Sequence, residues 1–160
     1  MQSNDAKSVI CLSCNFVYYH SPAAVAIGII EYDDKIILTR RAREPRKGLL
    51  ALPGGFVDYE ESLESALIRE LQEELGLTVT TPTYLCSHWD KYLFLDVMYL
   101  AAIAFYVVRV NDISKAKAND DIDAFFLVKP NDIDDDKLAF KSHRVALNRY
   151  NNELNVEGKH

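Results

Sequence analysis

Residues 55–77 constrain this chain most, because helix start and stop signals there enclose a leucine stripe that acidic residues interrupt. Ser62 is a good N-cap, since its hydroxyl can accept a hydrogen bond from a backbone N–H that has no partner within the helix. Gly76 is a good C-terminal stop, since glycine tolerates the left-handed conformation that ends many helices. The pattern therefore predicts a helix between these two residues. Its apolar stripe consists of Leu63, Ala66, Leu67, Leu71 and Leu75.

Three carboxylates lie on or beside that apolar stripe. At about 100° per residue, Glu70 and Glu74 project into the same arc as the leucines, and Glu73 lies at its edge. Partly buried carboxylates that repel each other require a counter-charge, and Mg²⁺ and Mn²⁺ prefer carboxylate oxygens. The sequence therefore predicts a divalent-cation site. The alternative is a solvated acidic face with Arg69 as its partner.

The same stretch resembles the Nudix box, Gly-x5-Glu-x7-Arg-Glu-U-x-Glu-Glu-x-Gly-U, where U is a bulky aliphatic residue. The resemblance implies a Nudix-type α/β/α sandwich with a mixed, curved β-sheet, whereas the pattern alone gives α/β or α+β. It implies that Glu70, Glu73 and Glu74 bind Mg²⁺ or Mn²⁺, and that Arg69 and Glu61 pair to brace the loop ahead of the helix. We expect these five residues to form the catalytic site. The specified positions of the box are filled by Gly55, Glu61, Arg69, Glu70, Leu71, Glu73, Glu74, Gly76 and Leu77.

The resemblance also implies a reaction. We expect hydrolysis of the diphosphate bridge in a nucleoside diphosphate linked to another group, such as ADP-ribose or a dinucleotide. Two alternatives stay open: a nucleoside triphosphate pyrophosphatase that removes damaged nucleotides, and a Nudix-fold ligand sensor without turnover. The expected partner is a small-molecule nucleotide, and the box does not name its base.

Two cysteines near the N-terminus, Cys11 and Cys14, have the CxxC spacing of one zinc knuckle. Residues 11–22 resemble the second half of the zinc ribbon that precedes the catalytic domain in NADH-pyrophosphatase-like Nudix members. A full site needs two more ligands, for which Cys86 and His20 are candidates. We therefore favour a vestigial or incomplete site, with bound zinc as the alternative. We therefore divide the chain into an N-terminal tail, 1–22, and a Nudix domain, 23–160.

Candidate substrate-binding residues surround the box. Arg41 and Arg46 lie in a basic run just before it, and arginine forms paired hydrogen bonds with phosphate. Gly55 permits close approach of a ligand to the backbone. Trp89 and Tyr92 could stack on a base, or they could be packing residues. NADH pyrophosphatases carry a Ser-Gln-Pro-Trp-Pro-Phe-Pro signature after the box, of which this chain has counterparts only in Ser87 and Trp89.

Other elements are read from apolar patterns and turn residues. We predict a loop at residues 87–92, and one long strand or a tight pair of strands at 93–110. Acidic residues in the loop before the last strand, Asp120, Asp121 and Asp123, are candidate metal ligands or solvated turn residues. The predicted strands are 23–31, 35–39, 48–53, 78–86 (interrupted by Pro82) and 122–128, and the closing helix is 138–154.

Composition and charge limit the possible partners. A formal net charge of −6 argues against general coating of nucleic acid, so we expect no nucleic-acid partner. The longest apolar run, residues 97–108, is too short to span a bilayer, so we expect no membrane role. Three cysteines and no visible secretory signal favour the cytoplasm. Nudix proteins are often dimers, and a homodimer is possible.

Overall fold

The fold consists of a mixed β-sheet that lies between two helices. The computed structural model describes residues 1–3 and 7–157, with side chains to residue 154, so residues 4–6 and 158–160 lie outside the description. The strands are β1 (Gln2–Ser3), β2 (Ser8–Ile10), β3 (Val17–Tyr19), β4 (Ala23–Tyr32), β5 (Lys35–Arg41), β6 (Leu50–Ala51), β7 (Gly54–Phe56), β8 (Thr83–Phe94), β9 (Val97–Arg109) and β10 (Ile122–Val128). The helices are α1 (Leu63–Leu75) and α2 (Lys141–Glu157), and two short 3₁₀ turns, Pro130–Asp132 and Asp135–Lys137, precede α2.

Within the described ranges, seven strands form the main sheet, in the order β10-β5-β4-β9-β8 with β6 beside β5 and β7 beside β4. The β4–β9 pair is parallel, with Ala23 opposite Ala101, and its neighbours are antiparallel. A parallel pair needs a long crossover, and α1 lies within it. The mixed sheet confirms the predicted fold class.

The two helices cover opposite faces of the sheet. Alternate residues of a strand point to opposite faces. Accordingly, Ala26 packs in the core cluster that contains Leu67 and Leu71 of α1. Ile27 packs in the cluster that contains Leu147 of α2. The three-layer arrangement follows from this alternation of apolar side chains.

Helix α1 confirms the prediction made from its end signals. The hydroxyl of Ser62 accepts a hydrogen bond from the Ser65 backbone N–H at 3.1 Å. Gly76 ends the helix at φ 68°, and its N–H donates to the Gln72 carbonyl at 3.0 Å. Glu74 is buried together with the apolar stripe, as its helical position predicts.

Replacing Ser62 by alanine should lower the free energy of unfolding by about 1 kcal/mol, because the Ser65 N–H loses its acceptor. For a domain of this size, the melting temperature should fall by about 2–4 °C. Ser62→Asp is the matched control, since aspartate also caps helices. An unchanged melting temperature in Ser62→Ala would show that the cap adds nothing to stability.

The long hairpin of β8 and β9 corrects two sequence predictions and resolves a third. Residues 78–82 are not strand, and residues 87–92, predicted as a loop, lie in the middle of β8. Residues 93–110 contain the end of β8, the hairpin turn at Leu95 (φ 47°) and Asp96 (φ 61°), and the whole of β9. The polar residues of β8 suggested a loop, but an edge strand exposes much of its surface to water and tolerates them.

Smaller differences concern element bounds. Strand β5 continues through Arg40 and Arg41, and the strand predicted at 48–53 is only β6. The glycine pair Gly54 and Gly55 belongs to β7, which was not predicted. Helix α2 begins at Lys141, three residues after its predicted start.

The first 22 residues contain structure where a tail was predicted. Strands β1, β2 and β3 form a separate antiparallel sheet, although residues 4–6 of the predicted tail lie outside the description. The predicted division of the chain falls between β3 and β4. No helix in the described part of the chain is long and apolar enough to cross a membrane.

Candidate active site

The carboxylates of α1 lie against strand β7. The backbone N–H of Gly54 donates to Oε2 of Glu74 at 3.0 Å. A Cβ on Gly55 would lie 2.5 Å from Oε1 of Glu70, so only glycine allows this approach. Helix and glycine strand thus form one side of a common site.

Arg69 braces this cluster. Its guanidinium donates to both carboxylate oxygens of Glu61, at 2.9 and 3.0 Å, and to the Phe56 carbonyl at 3.0 Å. It also donates to Glu70 at 2.8 Å and to Glu73 at 3.1 Å. The hydrogen bond from Arg69 lowers the pKa of Glu61, so that carboxylate stays charged and holds the loop ahead of α1.

Burial sets the electrostatics of the cluster. Glu74 is 6 % exposed, and burial raises its pKa to about 8 despite the hydrogen bond from Gly54. Burial also raises the pKa of Glu70, against the effect of Arg69. Carboxylates held in this way favour a nearby cation, because a positive charge restores the ionised form.

The donor set fits a hard divalent cation in its chemistry, since it consists of carboxylate oxygens. Glu73 is about half exposed and is held by Arg69. In the described ranges, no three His, Cys, Asp or Glu side chains converge closely enough to hold a metal ion. Binding of one cation by all three glutamates would therefore require their side chains to rearrange.

A cavity of about 190 Å³ adjoins the cluster. Glu70 and Glu74 line it from α1, and Gly54 and Gly55 line it from β7. Further lining residues come from β5, from β8, from the residue just before α2 and from the first turn of α2: Arg41, Asp90, Tyr92, Phe140 and His143. The cavity therefore joins the carboxylate cluster to a polar and aromatic wall.

Three of the predicted binding residues, Gly55, Arg41 and Tyr92, line the cavity. Arg41 Nε donates to the Pro45 carbonyl at 2.7 Å, and its guanidinium lies 5.1 Å from the Phe140 ring centroid. Its Nη2 lies 3.5 Å from the Tyr92 hydroxyl, at the limit of a hydrogen bond. These contacts fix the guanidinium at the wall of the cavity.

The structure does not bring Arg46 and Trp89 to this cavity. Arg46 is exposed in the loop after β5, with φ 66°. Trp89 is 62 % exposed and lies one residue from Asp90 on β8, so it points to the opposite face of the sheet.

The acidic loop before β10 and the start of β10 pair with basic residues of β5 and of the loop after β5. Asp121 lines the cavity and pairs with Arg43 at 2.8 Å, while Asp120 lies 3.7 Å from the same arginine. Asp123 pairs with Arg40 at 2.6 Å. The loop therefore adds one carboxylate, Asp121, to the cavity wall.

Sequence reasoning missed Asp90, Phe140 and His143 as cavity residues. Asp90 was assigned to a loop, and the predicted start of α2 was three residues early. Phe140 lies just before α2 and His143 lies in its first turn, and the surface that both residues contact is set by the fold. No local sequence signal identifies that surface.

His143 is 3 % exposed, and its Nδ1 accepts a hydrogen bond from the Leu52 N–H at 3.0 Å. Burial lowers its pKa to about 3, with Arg41 adding to this and Asp90 opposing it. The unfolded chain therefore binds more protons than the folded chain between pH 6.5 and 3, so stability falls as pH decreases through that window.

This shift predicts an acid sensitivity. Between pH 7 and 4.5, the parent should lose about 2–3 kcal/mol more of its free energy of unfolding than a variant without this histidine. Urea titrations at both pH values measure the difference, and His143→Asn removes the titrating group. An equal loss of stability in parent and variant would contradict the shift.

The cysteine pair lies in the turn between β2 and β3. The Cys11 N–H donates to the Phe16 carbonyl at 2.9 Å, and hydrogen bonds from the backbone of Ser13 and Cys14 lower the pKa of Cys11. Cys86 lies on β8, in the other sheet. Among the residues that the structure describes, no third ligand joins the pair.

Fold and site together define an α/β/α protein whose cavity is lined by carboxylates of one helix and by the backbone of a glycine strand. A family model described as NUDIX domain matches residues 20–150, and the chain belongs to this family. This confirms the family resemblance seen in residues 55–77.

Curated relatives match part of the chain. An ADP-ribose pyrophosphatase of Methanocaldococcus jannaschii is 52% identical over 61 residues, which cover 38% of this chain and 36% of the relative. The human mitochondrial NAD(P)H pyrophosphatase NUDT13 is 38% identical over 81 residues, or 50% of this chain and 23% of the relative. The matches thus span about a third or less of these curated relatives.

The fold is also that of solved Nudix structures. A MutT NUDIX hydrolase from Burkholderia pseudomallei superposes with a TM-score of 0.70 and 26% identity. The match covers 81% of this chain and 98% of that one.

Proposed function

We propose that this chain is a Mg²⁺- or Mn²⁺-dependent hydrolase. Its substrate is a nucleoside diphosphate linked to another group, with ADP-ribose as the leading candidate. The observation that carries the proposal is the carboxylate cluster of α1, which opens into the cavity beside Gly54 and Gly55. The names of the two curated relatives support it, since both are pyrophosphatases of diphosphate-bridged nucleotides.

Glu70, Glu73 and Glu74 would hold the cation. The chemistry supplied by a divalent cation held there would be charge stabilisation of phosphoryl oxygens and activation of water. Arg69 holds Glu70 and Glu73 in place and ties them to Glu61. Arg41, fixed at the cavity wall, supplies positive charge for a phosphate group.

A hydrolysis screen tests this function. Purified protein is incubated with Mg²⁺ and one of five substrates: ADP-ribose, NADH, FAD, a dinucleoside polyphosphate or a nucleoside triphosphate. Mass spectrometry of the products should show AMP and ribose 5-phosphate from ADP-ribose, and EDTA should stop the reaction. The Glu73→Gln variant is the control for contaminating hydrolases.

Two results would overturn the proposal in different ways. Turnover confined to triphosphates would indicate a pyrophosphatase that removes damaged nucleotides. If none of the five substrates is hydrolysed by protein that binds Mg²⁺ in calorimetry, a ligand sensor would be indicated. The homodimer and the cytoplasmic location stay predictions of the sequence.

A further inference from the structure

The hydrogen bond at His143 fixes the state of its imidazole ring. Because the Leu52 N–H donates to Nδ1, this nitrogen carries no proton. The ring is buried and neutral, so its proton is on Nε2. His143 therefore presents one uncharged donor in a single tautomer.

That donor has no partner in the described part of the chain, where the hydrogen bond to His143 is the one from Leu52. The ring is flanked by aromatic groups: Phe140 lies 5.2 Å away between centroids, and Phe105 lies 5.8 Å away. His143 lines the cavity, which leaves a ligand acceptor as the natural partner of Nε2–H. Nε2 is not one of the sealed polar atoms without a partner, so water in the cavity can reach it, and a ligand acceptor can take the place of that water.

Asp90 supplies an acceptor in the same wall. Its carboxylate accepts from the Ser142 N–H at 2.9 Å and from the Lys91 N–H at 2.8 Å. Burial opposes ionisation, but these hydrogen bonds outweigh it and lower the pKa of Asp90. Each carboxylate oxygen can accept more than one hydrogen bond, so Asp90 retains capacity for a donor from a ligand.

The geometry points to a base-reading pair: we propose that His143 and Asp90 select the nucleobase by its hydrogen-bonding edge. A 6-aminopurine presents a donor at N6 beside an acceptor at N1, and a 6-oxopurine reverses this order. A wall with one fixed donor and one fixed acceptor fits one order and leaves the other unpaired. The inference rests on the proposed function for its substrates, and it assigns base selection to two residues that lie outside the box.

The test compares ADP-ribose with IDP-ribose, its deaminated analogue, in the parent and two variants. The parent should differ in kcat/KM between the two compounds by about 10- to 100-fold. In His143→Asn, the amide oxygen lies near the former Nδ1 and still accepts from Leu52, but the cavity donor is lost. In His143→Gln, an amide N–H lies near the former Nε2, and the contact with Leu52 is lost.

The two variants therefore separate base reading from structural support. If His143 selects the base, the kcat/KM values of His143→Asn for the two compounds should differ by no more than about threefold. His143→Gln should retain most of the parent's difference. A purely structural histidine would instead lower the melting temperature in His143→Gln and leave the discrimination equal in both variants. Equal kcat/KM for the two compounds in the parent, or full discrimination in His143→Asn, overturns the proposal.

Binding measurements keep this test independent of turnover. Calorimetry with the Glu73→Gln variant, with and without His143→Asn, gives dissociation constants for both compounds. Base discrimination in binding without hydrolysis would uphold the inference while the proposed function fails. Hydrolysis without discrimination in either readout would uphold the function and refute the inference.

Discussion

Replacing Glu73 by glutamine should lower kcat by at least about 10³-fold while leaving the fold intact. The substitution removes one of three anionic groups proposed to hold the cation, and such stabilisation of phosphoryl charge is worth several kcal/mol. The fold should tolerate it, because the side chain is about half exposed and its contact is the single hydrogen bond from Arg69 at 3.1 Å. Steady-state kinetics and thermal unfolding measure the two effects separately.

Glu64→Gln is the matched control for this experiment. Glu64 lies on the same helix but accepts a hydrogen bond from the Tyr106 hydroxyl, which an amide oxygen can also accept. Its kcat should stay close to that of the parent. If Glu73→Gln also retained the parent kcat, the assignment of the cation site to these carboxylates would be wrong.

Alanine substitutions at the two adjacent glycines of β7 should affect different properties, stability at Gly54 and catalysis at Gly55. In Gly54, φ is +128° and an added Cβ would lie 2.3 Å from the Ala26 carbonyl oxygen, so the backbone itself must move. We expect Gly54→Ala to lower the free energy of unfolding by about 3 kcal/mol or more, and the melting temperature by about 6–12 °C. At Gly55 the obstacle is the carboxylate end of Glu70, which can move at small cost.

For Gly55→Ala, the loss should therefore appear in catalysis. Displacing Glu70 by about 1 Å is expected to lower kcat about 100-fold, with a stability change below about 1 kcal/mol. Each variant serves as the control of the other, measured by thermal unfolding and by turnover at saturating substrate. Equal melting temperatures for the two variants would show that the strained approach at Gly54 is not as tight as described.

The helix and its carboxylates were predictable because their determinants are local. Ser62 and Gly76 act on backbone groups within a few residues, and helical spacing alone places Glu70 and Glu74 on the buried stripe. The Nudix box then supplied the family. Local signals therefore defined the part of the candidate site that the proposed cation would occupy.

The other wall of the cavity depends on contacts distant in sequence. A hydrogen bond with Leu52 holds His143 in the wall, and a hydrogen bond with Ser142 holds Asp90 there. Neither pairing has a spacing rule that a sequence could reveal. Arg41 and Arg46 show the same limit, since the continuation of β5 through Arg41 carries one arginine to the cavity and leaves the other in the loop.

The parallel ladder between β4 and β9 also determines the order in which the chain can fold. The hairpins β4–β5 and β8–β9 each close across a short turn, whereas the ladder that joins them pairs Ala23 with Ala101. Closing so long a loop costs entropy before its contacts form, so we expect this pairing to limit the refolding rate. Helix α1 packs against residues of both strands, Ala26 and Ala104. The carboxylate cluster should therefore reach its final geometry late in folding, after the ladder has closed.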